Sequence, residues 1–181
     1  MIDDRSLTTE PSRLQALAYA RQEIEALRRW YGVATDLLGN TGDRDAQDEG
    51  LRIYHRIFAP NADISVEGGA KPLRGEGPIA WSEVAHTALK PYEATQHLIG
   101  TQCVAFRSAA FSDAPVTVTA GHATMSSYLQ AWHAWPDRRL RLVMGTYEDE
   151  VKFAAGVGWQ ITKMVLRHVS GEHRHLGAAE N

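Results

Sequence analysis

The second half of the chain constrains its fold more tightly than any other feature. From Ala94 onward, long segments rich in Val, Thr, Tyr, Trp and Phe are interrupted only at Ser112 to Pro115, Pro136-Asp137 and Ala155 to Gly158, all of which carry turn residues. Four strands therefore follow one another with short connections, and strands so joined pair antiparallel. One face of such a meander must be covered, and the residues before Ala94 supply the cover. Leu14, Leu17, Ile24, Leu27, Tyr31 and Leu38 recur at helical intervals, from a capping-box spacing of Ser12 and Gln15 to a stop at Gly39. Leu51, Tyr54 and Phe58 mark a second helix ended by Pro60-Asn61, Ile64 to Val66 a short strand, and Gly77-Pro78 opens a third helix reaching Leu89. The expected architecture is α+β, with three N-terminal helices packed on a strongly curved, mainly antiparallel sheet.

A length of 181 residues suits one domain. It is expected over 12–169, with residues 1–11 flexible and 170–181 a flexible tail, whose single leucine offers little surface to offset the entropy of ordering. The net charge is −3, and no basic block exists beyond Arg138, Arg139 and Arg141, which argues against a nucleic-acid partner. No stretch is apolar enough to predict a membrane span. Cys103 is the only cysteine, which excludes an intramolecular disulfide and a thiolate-built zinc site and fits a reducing, cytoplasmic compartment. None of the eight histidines falls in a metal-ligand motif, so neither a metal nor another cofactor is expected.

Two of those histidines lie in the predicted strands among apolar neighbours. His97 shares parity with Ile99, Cys103 and Ala105, and His122 with Val116, Val118, Tyr128 and Trp132, so each imidazole is expected to face an apolar surface. A buried imidazole needs a hydrogen-bonded neutral state or a carboxylate. Asp36 interrupts the apolar end of the first helix and is a candidate partner, since a carboxylate beside an imidazole fixes its tautomer and raises its basicity. Tyr31, five residues earlier and about 140° around the helix, reads on its own as a core aromatic. The remaining histidines, among them His55, His86, His173 and His175, read as solvated or partly buried bystanders.

The order of long helix, helix, short strand, helix and curved meander resembles the cone-shaped nuclear transport factor 2-like fold, in particular its SnoaL-like and scytalone dehydratase-like branch, over roughly Ala16 to His168. Tyr31 and Asp36 resemble that branch's Tyr/Asp pair, Phe58-Ala59-Pro60-Asn61-Ala62-Asp63 its helix-to-strand corner, and Gly145 to Asp149 with Gly158 to Ile161 its closing hairpin. Thr95-Gln96-His97-Leu98-Ile99-Gly100 is similar to the strand bearing the catalytic histidine, and Gly121-His122 falls where a second histidine would lie. Thr35 and Val66 stand where scytalone dehydratase has tyrosines, so Tyr31, Asp36 and His97 are closer to the bile acid dehydratase pattern.

The resemblance implies a cofactor-independent lyase that dehydrates a hydroxylated carbonyl compound of steroid or polyketide type. His97, oriented by Asp36, would take and return the proton, Tyr31 would polarise the carbonyl, and His122 would be a second donor. It leaves open a noncatalytic ligand-binding module, a dioxygenase small subunit, and an isomerase or cyclase using the same pair. The partners expected are a hydrophobic small molecule and further copies of the chain, as a dimer or trimer through the uncovered sheet face, where Leu129, Trp132 and Leu142 are candidates.

Overall fold

Proline at the first helical turn starts helix α1, Pro11–Gly39, in the computed structural model of the protein, which describes residues 7–69, 71–175 and 177. Ser12 does not cap this helix; its hydroxyl is spent on the Glu10 carboxylate. Helix α2, Arg44–Ile57, begins at Asp43, whose carboxylate accepts the Ala46 N–H at 3.0 Å, and passes without a break into strand β1, Phe58–Glu67. The predicted strand at 64–66 is thus the inner part of a longer one. Strand β2, Leu73–Glu76, too short and too polar to read from the sequence, pairs antiparallel with β1. Helix α3, Gly77–Leu89, starts and ends where proline and periodicity place it. Gly77 has φ +73°, and a Cβ there would stand 2.3 Å from the Pro60 carbonyl oxygen, so only glycine fits this corner.

The meander consists of β3 (Ala94–Phe111), β4 (Val118–Ala134), β5 (Arg139–Ala154) and β6 (Gly158–His175). The sheet order is β2-β1-β6-β5-β4-β3, antiparallel throughout except between β1 and β6. Strand β6 keeps pairing with β5 as far as His175 opposite Arg139, so residues 170–175 of the expected flexible tail are strand. Backbone pairing with a long neighbour holds them although their side chains are exposed. Residues 1–6 and 178–181, also expected to be flexible, lie outside the described residues. No described helix is long and apolar enough to cross a membrane.

Helix α1 lays its periodic stripe on the concave face of the sheet: Leu17, Ile24 and Tyr31 are buried against residues such as Phe106, Met125, Val151 and Met164. Arg28 occupies the same stripe one turn after Ile24 and is completely buried. Its Nε donates to Asp149 Oδ2 at 3.2 Å, its Nη2 to Oδ1, and its Nη1 lies 3.2 Å from Met164 Sδ. Burial opposes both charges: it lifts the Asp149 carboxyl above its usual range, but at Arg28 it is outweighed by the adjacent carboxylate, which keeps the guanidinium protonated.

Losing one member of this pair strands a buried charge, whereas replacing both by apolar residues does not. Arg28→Met alone is expected to destabilise the fold by about 3–5 kcal/mol, and the double variant Arg28→Met, Asp149→Leu to recover most of that loss. Urea unfolding of the two variants beside wild type measures the difference.

Candidate active site

Helix α1 lies directly on strand β3. A Cβ at Gly32 would be 3.3 Å from the His97 carbonyl oxygen, and one at Gly39 would be 2.9 Å from Thr95 Oγ1. Between these glycines the Asp36 carboxylate bridges the two elements. Its Oδ1 accepts from the Thr95 hydroxyl at 3.0 Å and lies 2.7 Å from His97 Nδ1, while Oδ2 accepts the His97 backbone N–H at 3.0 Å. A carboxylate on Nδ1 keeps the proton there and leaves Nε2 as the basic nitrogen. The His97 side chain is 7% exposed and that of Asp36 27%, so the pair sits at the rim of the sheet, where β3 and β5 begin and β4 ends.

The second histidine at this rim is His133, not His122. The inward set of β4 runs Ala123, Met125, Ser127, Leu129, Ala131, His133, and His133 pairs in register with Thr95, its ring edge-on to His97 with centroids 5.5 Å apart. His122 belongs to the alternate set and turns away from the core; its Nε2 is 4.0 Å from Glu150 Oε2. Tyr128 and Trp132 make the outer face apolar as well, which is why parity alone pointed the wrong way. A bulge between Gly100 and Cys103, with Thr101 at φ +42°, likewise breaks the parity assumed for β3. His97 and Ile99 stay inward, Val104 and Phe106 take over beyond the bulge, and Cys103 is exposed.

Tyr31 is buried in an aromatic cluster. It stacks on Tyr54 at 5.5 Å and meets Phe58 and Tyr147 edge-on, and the Arg28 guanidinium lies 4.6 Å from its ring centroid. Thr35 donates to the Tyr31 carbonyl at 2.7 Å, so the 2.7 Å contact between the Thr35 and Tyr54 hydroxyls must be donated by Tyr54. Burial raises the pKa of the Tyr31 phenol, opposed by Arg28 and by its neighbours Trp81, Thr35 and Tyr54. The cluster is closed to solvent, Tyr31 being 3% exposed and Tyr54 fully buried. Prominent pockets lie elsewhere, one of about 570 Å³ on the outer sheet face beside Leu98 and Tyr128, another of about 680 Å³ along the N-terminal half of α1; neither is lined by Tyr31, Asp36 or His97.

Arg28, Asp149, Tyr147 and His133 escaped the sequence reading. Helical periodicity carries the signal for Arg28, which continues the stripe of Leu17, Ile24 and Tyr31, and strand parity carries it for His133, which alternates with Leu129 and Ala131. Among the described residues, no group of three or more His, Cys, Asp and Glu is arranged to hold a metal ion.

His133 is 7% exposed, and its Nδ1 is buried without a hydrogen-bond partner. Burial first, then the neighbouring His97 and Arg141 charges, lower its pKa from 6.5 to about 4. The unfolded chain therefore takes up this proton first as pH falls. The stability contribution is complete above pH 6.5, declines between 6.5 and about 4, and levels off below. Its full size is roughly 3 kcal/mol at about 1.4 kcal/mol per pKa unit. Denaturant unfolding across this window should show that slope, and His133→Gln should remove it.

The SnoaL-like domain profile matches residues 21–165. No curated protein matches the chain significantly in sequence. Among solved structures, a protein assigned as a scytalone dehydratase from Novosphingobium aromaticivorans DSM 12444 superposes with a TM-score of 0.66 at 17% identity, over 92% of this chain and 95% of that one. The hexachlorocyclohexane dehydrochlorinase LinA-type3 from Novosphingobium barchaimii LL02 gives 0.65 at 13% identity, over 92% and 97%. A protein assigned as the beta subunit of an aromatic-ring-hydroxylating dioxygenase, also from Novosphingobium aromaticivorans DSM 12444, gives 0.56 at 13%, over 85% and 92%. Identities this low speak for the fold alone, and the fold is the cone of the nuclear transport factor 2-like superfamily. With the profile spanning most of its length, the chain belongs to the SnoaL-like domain family.

Proposed function

We propose that the protein is a cofactor-independent lyase that removes water from a hydroxylated carbonyl compound, a hydrophobic molecule of steroid or polyketide type. The observation that carries this reading is the Asp36 carboxylate held on both the ring Nδ1 and the backbone N–H of His97. His97 Nε2 would take the proton from the carbon next to the carbonyl, and the enolate oxygen would be met by a hydrogen bond from Tyr31. As the enolate collapses, the bond to the β-hydroxyl breaks, and the imidazolium returns its proton to the departing oxygen, so that an unsaturated carbonyl compound and water leave. Asp36 supports the transient positive charge on the ring. His133, neutral at the same rim, takes the second-donor role that the sequence suggested for His122. Isomerisation or cyclisation would use the same pair, and product mass separates these from dehydration, because only dehydration loses water.

Two further features belong to this reading. A cytoplasmic setting suits the exposed thiol of Cys103, which stays reduced there. Self-association, as a dimer or trimer, suits the outer sheet face, where Leu98, Tyr128, Met144 and Val169 are 38–69% exposed around one pocket. Of the residues expected on that face, Leu129 instead lies in the inner core and Leu142 is buried. Light scattering is expected to return a multiple of 20.0 kDa; the mass of a single chain at micromolar concentration would contradict it.

Activity is tested on a panel of β-hydroxy ketones and esters. His97→Ala and Asp36→Asn should each lower turnover by about 10² to 10⁴, and Tyr31→Phe by about 10 to 10³. Turnover should survive a chelator. A folded His97→Ala protein with wild-type turnover would sink the assignment of the base.

A further inference from the structure

The arginines near the rim differ in how their charge is met. Arg139 pairs with Asp137 at 2.7 Å and Arg174 with Glu172, as Arg28 pairs with Asp149 deeper in the cone. Arg141 makes no ion pair among the described residues, and the one side-chain hydrogen bond found for it is from Nη1 to the Tyr92 hydroxyl at 3.2 Å. It is half-buried, belongs to the inward set of β5 with Val143, Tyr147 and Asp149, and stands directly across from His133. The Tyr92 ring packs on His133 at 4.8 Å, and His133 on His97 at 5.5 Å. The guanidinium is therefore two rings away from the Asp36–His97 pair.

A guanidinium has five donors, and holding one partly out of water with a single side-chain acceptor, the Tyr92 hydroxyl, leaves most of them unmet by the protein. A second unmet group stands beside it, the Nδ1 of His133, which is buried and unpartnered. The Tyr92 hydroxyl accepts from Arg141 and keeps its own proton to donate. Together these groups present a planar fork and a phenol to one place at the rim.

We infer that Arg141, with Tyr92 and His133, forms an anion site that takes a carboxylate on the substrate and so selects which hydroxylated carbonyl compounds reach His97. The inference rests on the lyase reading only for its meaning in turnover, since the site binds its anion whether or not His97 is a base. A carboxylate fits better than a bulkier tetrahedral anion because two parallel N–H donors of a guanidinium match its two coplanar oxygens. The carboxylate would be left unaltered by the reaction; its task is to fix the register of the reacting carbon beside Nε2.

The test is a titration of the full chain with benzoate and with benzamide, its neutral counterpart, followed through the imidazole NMR signals of His97 and His133. Benzoate is expected to shift both signals saturably and to bind at least about tenfold more tightly than benzamide, a loss typical of one charge-assisted pair. Arg141→Gln should weaken benzoate by a similar factor, and Arg141→Lys by less, with benzamide unaffected in both. Should Arg141→Gln not fold, Tyr92→Phe takes its place and is expected to weaken benzoate severalfold. Equal binding of benzamide, unchanged benzoate affinity in the variants, or no saturable shift at His133 would overturn the anion site. Because binding is read without turnover, any of these leaves the assignment of His97 standing, and an active His97→Ala variant leaves the anion site standing.

Discussion

Helix α1 reaches strand β3 only because positions 32 and 39 carry no side chain. That approach does two things at once. Strand β3 ends the sheet, so its outward backbone groups have no strand to pair with, and an unpaired edge is a template for association with other chains. Helix α1 takes up that edge: the Gln102 side-chain amide reaches across to donate to the Glu25 carbonyl, and of the strand's backbone groups the Val104 carbonyl accepts from Arg21 and the His97 N–H donates to Asp36. The last of these bonds fixes a carboxylate within 2.7 Å of the His97 ring. Edge protection and the Asp36–His97 pair are thus one interaction, and a larger residue at Gly32 would loosen both together.

The broad fold was legible in the sequence because its signals are local. Proline at a helix start, glycine at its end and turn residues between β-rich segments each act within a few positions, and α3 lies where those signals place it. Strand β2 was not legible, since Leu73–Glu76 is stabilised by pairing with β1 rather than by its own composition. Asp36 and His97 could be paired from the sequence because each is a polar residue in an apolar setting on its own element. His133 could not, because strand parity names two faces without saying which is inner, and here both are apolar. The bulge at Thr101 added a second break, which no alternation pattern reveals in advance.

Two sets of polar groups differ in how the protein meets them. Deep in the cone, Arg28 and Asp149 neutralise each other, and the Thr35 and Tyr54 hydroxyls close a chain of hydrogen bonds that ends on the Tyr31 carbonyl. Each of these groups is satisfied by the protein, so each can stay dry without a ligand. At the rim the accounting is incomplete: His133 Nδ1 has no partner, Arg141 has no carboxylate, and His97 Nε2 is left basic by the bond at Nδ1. The unmet donors of the half-buried Arg141 mark the rim as a place where a ligand would gain hydrogen bonds. The packed rings behind the pair also bear on substrate shape. A molecule that turns only its carbonyl inward to Tyr31 and keeps its bulk at the rim would leave the Tyr31–Tyr54 stack intact, whereas one that must thread its bulk into the cone would have to separate rings stacked 5.5 Å apart.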